Sequence, residues 1–155
     1  MEEKKKIIIG FSRLQEPGCW DSGQFDRVEI KFSDGYTSFV DNECVQYVQR
    51  ETDYYRSSFQ IMVDVQVADE MQTYAHSCWQ QKIQFNRLGE FWNFMPILNM
   101  LPVENKGKSF FGAEYICTIL QKNYFFPELL AATTSPDKLY DALVYDPRAE
   151  IIEIE

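Results

Sequence analysis

Histidine occurs once in this 155-residue chain, as His76, so chemistry that needs two or more imidazoles has nowhere to reside. The four cysteines, Cys19, Cys44, Cys78 and Cys117, include no C-x-x-C pair. Their wide spacing points to neither a zinc site nor a dense disulfide framework, and reduced thiols are the expectation. Basic residues are in deficit, 15 against 24 acidic ones, for a formal net charge of −9 and a pI near 4.6. Such a mean field repels phosphate backbones and anionic headgroups, so nucleic acid is a disfavoured partner. Long apolar runs are missing too. Ile7-Ile8-Ile9-Gly10-Phe11 is too short to span a membrane and lacks a signal-peptide cleavage pattern, despite Lys4-Lys5-Lys6 before it, which predicts an unsecreted protein without a membrane span. Repeats, low-complexity tracts and linkers are absent as well.

What is present is 45% hydrophobic and 15% aromatic content, enough for one well-formed core and a single domain over residues 1–155. Ile7 to Arg13 is β-branched and reads as a first strand. Phe25, Val28, Ile30 and Phe32 lead into Ser33-Asp34-Gly35, a turn signal, and Tyr36 to Val40 returns as the second arm of a hairpin. Phe59 to Val65 alternates at period two as a half-buried strand does. The period then changes. From Ala68 to Ile83 the apolar residues Met71, Ala75, Cys78, Trp79 and Ile83 recur at helical steps, with Asp69 and Glu70 expected in the first turn. Phe85 to Pro102 carries no sustained period. A second helix is predicted from Gly112 and a third after Ser135-Pro136-Asp137, where a serine cap precedes a proline at the first helical position. Glu150 to Glu155 is an edge strand or a tail. Strands and helices mixed without regular βαβ alternation indicate an α+β fold.

Three segments in order resemble the circularly permuted papain-fold group, the permuted NlpC-like cysteine hydrolases of bacteria and of large DNA viruses including poxviruses. Phe25-Asp26-Arg27-Val28-Glu29-Ile30-Lys31-Phe32-Ser33-Asp34-Gly35 resembles the group's strand F-S-H-V-E-(I/L)-x-F-x-D-G. Phe85-Asn86-Arg87-Leu88-Gly89 is similar to its F-N-x-x-G segment. Ser109 to Gln121, with Phe110-Phe111-Gly112-Ala113-Glu114, is similar to its W-F-C-S-E-x-(I/V)-x-x-x-L-Q helix, and Ser135-Pro136-Asp137-Lys138-Leu139-Tyr140 to a later S-P-x-x-L-Y element. The resemblance implies a permuted papain-like fold, a small antiparallel sheet packed against helices.

In that group a cysteine at a helix N-terminus is favoured as thiolate by the helix dipole, and a histidine on a strand takes its proton. The histidine position falls here on Arg27 and the cysteine position on Gly112. Arginine stays protonated and cannot act as a general base, and glycine has no nucleophile. Glu114 matches the group's glutamate two residues after the cysteine. The resemblance therefore implies a degenerate site at Arg27, Gly112 and Glu114, in which Arg27 and Glu114 could pair across the old cleft. A site rebuilt from His76 and Cys117 is disfavoured because Cys117 reads as a core residue, and His76 and Cys78 face apart on one helix. Asp64, Asp69 and Glu70 are explained by their places at a strand end and helix start rather than by a metal, and no cofactor is expected.

The leading expectation is a catalytically inactive binding or structural protein, a virion or minor capsid component of a large DNA virus, located in the virion or host cytoplasm. Protein partners would be held by the aromatic segment Phe91, Trp92 and Phe94, by edge strands or by the acidic terminus. The rivals are an active cysteine hydrolase of the same fold, cleaving peptide, amide or lipid ester bonds, and a host-factor binding module.

Overall fold

The strand alternation of residues 4–12 organises the molecule. Ile7, Ile9 and Phe11 are buried on one face of the strand, while Ile8 and Gly10 lie on the other. In the computed structural model, residues 3–12, 25, 27–41, 44–50, 55–85, 109–110, 112–122, 125–126, 129 and 134–152 are described. Among them, β1 (Lys4–Ser12), β2 (Arg27–Lys31), β3 (Tyr36–Val40), β4 (Val45–Gln49), β5 (Ser57–Asp64) and β8 (Ala149–Ile152) form one antiparallel sheet in the order β4-β3-β2-β1-β5-β8. Short strands β6 (Gln84–Phe85) and β7 (Ser109–Phe110) pair in parallel with each other. Three helices complete the described fold: α1 (Val65–Gln80), α2 (Gly112–Gln121) and α3 (Pro136–Val144). The chain is α+β, as its element order implies.

All three helices pack on the face that carries Ile7, Ile9 and Phe11. Register fixes which side chains share that face: Ile9 stands opposite Ile30 of β2 and Phe59 of β5, and Ser38 of β3 opposite Ile30 and Tyr47. Tyr140 of α3 sits edge-on to Phe11 and Phe59 with ring centroids at 5.4 and 5.3 Å. Tyr115 of α2 is fully buried and meets Ser38 at 2.6 Å. The Ser38 hydroxyl proton is already committed to the Gln46 carbonyl at 2.7 Å, so Tyr115 is the donor. Burial pushes the Tyr115 phenol far up, and this buried hydrogen bond locks α2 to the sheet.

The predicted hairpin forms as expected. Phe32 donates to the Tyr36 carbonyl at 2.8 Å and Gly35 to Phe32 at 3.0 Å, with Gly35 at φ 92°, a left-handed position that glycine takes without steric cost. The strand expected near Phe59 is β5, and Ser135 caps α3 by accepting from Lys138 N at 3.2 Å. Of the terminal segment, Glu150 to Ile152 pair with β5 as part of edge strand β8, and 153–155 lie outside the described residues.

Four details differ from the sequence reading. α1 begins at Val65 rather than Ala68, so Asp69 and Glu70 lie beyond its first turn, where Asp69 pairs with Lys5 at 3.0 Å instead of serving the helix dipole. α1 ends at Gln80 rather than Ile83. Lys82 adopts φ 54°, and the Lys82 and Ile83 amides turn back to Trp79 and Cys78, a left-handed closure that stops the helix. Trp79 keeps 41% of its surface in water and rests against Tyr47 and His76 rather than in the core. Strand β4 is not foreseen at all, because Val48 next to Tyr47 breaks the alternation that Val45-Gln46-Tyr47 begins.

Behind α3, Asp146 accepts from Arg148 through both carboxylate oxygens at 3.0 and 2.7 Å, and the Arg148 guanidinium lies 3.9 Å from the Phe125 ring centroid. The Arg148 side-chain hydrogen bonds hold the Asp146 carboxyl below its ordinary value, against an opposing push from burial. A depressed carboxyl stabilises the fold above its unfolded-state pKa, about pH 4, and loses that contribution as pH falls through the folded value. Asp146→Asn is expected to lower stability by about 1 kcal/mol at neutral pH. In thermal unfolding the gap from the parent closes on acidification. A gap independent of pH would contradict this role.

Candidate functional site

On the sheet face away from the helices, a carboxylate is withdrawn from water. Glu29 keeps only 3% of its surface exposed at the centre of β2, flanked by Val28 and Ile30, which point to the core. A lone buried carboxylate is prohibitively costly, so cations and donors have to meet it. Arg27 Nε lies 2.7 Å from Oε2, and Arg50 Nη1 lies 2.5 Å from Oε1. The Tyr55 hydroxyl donates to Oε1 at 3.1 Å. Arg27 approaches at an angle that leaves its buried Nε–H without a hydrogen-bond acceptor among the described residues, so that contact is ionic rather than directional.

Each partner arrives for a local reason. Arg27 shares the face of Glu29 because the two are two residues apart on one strand. Arg50 follows β4, held by its amide on the Gly35 carbonyl at 3.2 Å, and its side chain crosses β3 to reach β2. Both guanidiniums flank the Phe39 ring, at 4.0 Å for Arg27 and 5.2 Å for Arg50, which gives them an apolar floor that still attracts cations. Tyr55 lies against Gly10, the residue opposite Glu29 on β1. A β-carbon at Gly10 would run into the Tyr55 ring, so the close approach of ring to backbone requires glycine there.

The positions singled out by the resemblance fall on separate elements. Arg27 begins β2 and Gly112 begins α2. The carboxylate that Arg27 reaches is Glu29. Glu114, in the first turn of α2, is buried and lies close enough to Tyr74 of α1 to help raise its phenol, which burial already pushes far up. Phe91, Trp92 and Phe94 lie outside the described residues. Arg50, Tyr55 and Gly10 complete the cluster and were missed in sequence, since only the pairing of β4, β3, β2 and β1 brings them to Glu29.

Nucleophile and base candidates elsewhere are held apart. His76, on α1, packs edge-on against Tyr47 at 5.2 Å and beside Trp79 at 5.5 Å. Cys78 and Cys117 are buried thiols, and burial raises the Cys78 pKa, opposing thiolate. Among the described residues no group of three or more His, Cys, Asp or Glu side chains is placed to hold a metal ion, and no helix is long and apolar enough to cross a membrane. Among the described residues, clefts open on opposite faces of the sheet. One of about 1040 Å³ lies between α1 and α2 beside Asp69, Glu70, Tyr74 and Lys122. The other, about 610 Å³, adjoins Arg50 on the far face.

Chemically, the Glu29 cluster can fix strands and present positive charge; two guanidiniums around one carboxylate leave it a net cation. Glu29→Ala is expected to cost about 3 kcal/mol, the low end for opening a buried ion pair, because the two arginine side chains keep 22% and 24% of their surface in water. Arg27→Ala should cost less, since Arg50 and Tyr55 still serve the carboxylate. Urea unfolding of the two variants checks the order, and equal losses would contradict it. Comparison with known proteins returned no matching family model, no similar curated protein and no similar solved structure.

Proposed function

We propose that this chain is a catalytically inactive domain of the permuted papain-like type that works by binding, as a structural or accessory protein of a large DNA virus, with a virion or minor capsid component as the specific form. The observation that carries the reading is the state of Arg27. The residue at the histidine position of the resemblance is an always-protonated guanidinium, 2.7 Å from Glu29, and can neither take nor return a proton. The glycine at the cysteine position has no side chain to attack with.

Two further features favour binding over turnover. The sole histidine is packed among aromatic rings on α1, and the thiols of Cys78 and Cys117 are buried. Large apolar side chains stand in water near the β8 edge of the sheet, with Tyr145 86% and Ile151 56% exposed, a surface suited to protein contact. Docking of a capsid or other virion protein would extend the sheet at that edge. The viral assignment rests on the resemblance alone, and copurification with particles separates it from a soluble host-factor binder.

Iodoacetamide treatment is the direct test of inactivity. Cys44, half-buried, should react ahead of Cys78 and Cys117, which label only after denaturation, and peptide and ester substrates should survive incubation. Rapid native labelling of Cys117, with turnover lost in Cys117→Ser, would establish the active hydrolase instead.

A further inference from the structure

The face that holds Glu29 gathers cations in a chain that has few of them. Alternation along β1 sends Lys5 to Asp69 of α1 and leaves Lys4 and Lys6 on the far face, in register with Asp64 and Met62 of β5. Arg27 and Lys31 of β2 and Arg50 after β4 share that face, so five cations collect there in a protein of net charge −9. Among the described residues the acids on this face are Glu29, Asp64 and Glu150, with Asp34 and Asp41 at the two ends of β3; Glu29 is enclosed by Arg27 and Arg50, and Asp41 accepts from Gln46 Nε2 at 2.8 Å.

Three of these cations, contributed from three separate stretches of the sheet, line one cleft. Lys6, Lys31 and Arg50 surround a space of about 610 Å³, with Ile8 and Phe32 as its apolar wall. Its one acidic lining residue, Asp34, is tethered elsewhere: Oδ1 accepts from Tyr36 N at 3.1 Å and Oδ2 from Gln72 Nε2 of α1 at 2.7 Å. Arg50 uses one of its five guanidinium N–H donors on Glu29. Directly opposite Lys31 on β3 is Thr37, whose fully buried Oγ1 has no hydrogen-bond partner among the described residues. Thr37 lies beneath the cleft and not in its lining, so the receptor for an oxygen-rich anion is the set of cationic donors on the strands.

We propose that this cleft binds a small phosphorylated molecule, the phosphate held by Lys6, Lys31 and Arg50 and the remainder lying along Ile8 and Phe32. This goes beyond the binding function proposed above and does not rest on the papain-like resemblance. Size selects a small ligand: the space is within the usual range for small-molecule sites and exceeds what a bare phosphate fills. Charge selects it too. A long polyanion meets the repulsion of the whole acidic chain, whereas a compact anion responds to charges within a Debye length of roughly 8–10 Å.

Calorimetric titration with inorganic pyrophosphate and with phosphate, at constant ionic strength, tests the site, with succinate as the carboxylate arm. Saturable pyrophosphate binding is expected, weakened at least about tenfold in Lys6→Gln and in Lys31→Gln, the loss of one charge-assisted contact. Lys122→Gln, on the helix side of the sheet, should bind as the parent does. Lys6 is exposed, so its variant carries the test even if Lys31→Gln misfolds. Absence of saturable binding, succinate binding as tightly as pyrophosphate, or an equal loss in Lys122→Gln would each overturn the proposal.

Discussion

Burying the carboxylate of Glu29 near the middle of a six-stranded sheet sets the terms for one whole face of this molecule. The charge requires compensation, and compensation draws Arg27 from the start of β2, Arg50 across β3 from the end of β4, and the Tyr55 hydroxyl over Gly10 of β1. Three stretches of chain far apart in sequence, at Gly10, at Arg27 to Glu29 and at Arg50 to Tyr55, are thereby pinned to one point. Ion pairs of this kind add less to net stability than their geometry suggests, because desolvation offsets attraction, but they penalise wrong registers heavily. A one-residue slip of β2 would carry Glu29 to the helix face, among Ile9 and Phe11 of β1 and Phe59 of β5, with no cation to meet it.

The opposite face follows from ordinary apolar alternation. Ile7, Ile9 and Phe11 of β1, Val28 and Ile30 of β2, and Phe59 and Ile61 of β5 make a continuous floor for the helices. On it the Tyr115–Ser38 hydrogen bond and the Tyr140 ring set where α2 and α3 rest. The two faces thus divide the work: one supplies the hydrophobic core, the other gathers positive charge on an acidic protein.

Much of this was legible in sequence where the cue was local. Asp34-Gly35 marks a hairpin because glycine alone enters its turn freely, Ser135-Pro136 marks a helix start, and the alternation around Phe59 marks β5. The cues failed where the deciding contact was distant. β4 is five residues long and Val48 interrupts its alternation, so it carries little signal until β3 pairs with it. The end of α1 was misplaced because Lys82 takes a left-handed conformation that glycine or asparagine would have announced. For the site, Arg27 and Glu29 were visible as neighbours on one strand, whereas Arg50 and Tyr55 carry no motif, and only strand order shows that they reach the same carboxylate.

The claim at the centre of this account is that Glu29 and its arginines form one interacting unit rather than adjacent charges on a surface. A double-mutant cycle on Arg50 and Glu29, read by equilibrium unfolding of the single variants and the pair, measures that directly. The account predicts a coupling energy of about 1.5 kcal/mol or more, as for charge pairs withdrawn from water. A coupling within about 0.3 kcal/mol of zero, the value of independent surface sites, would contradict it.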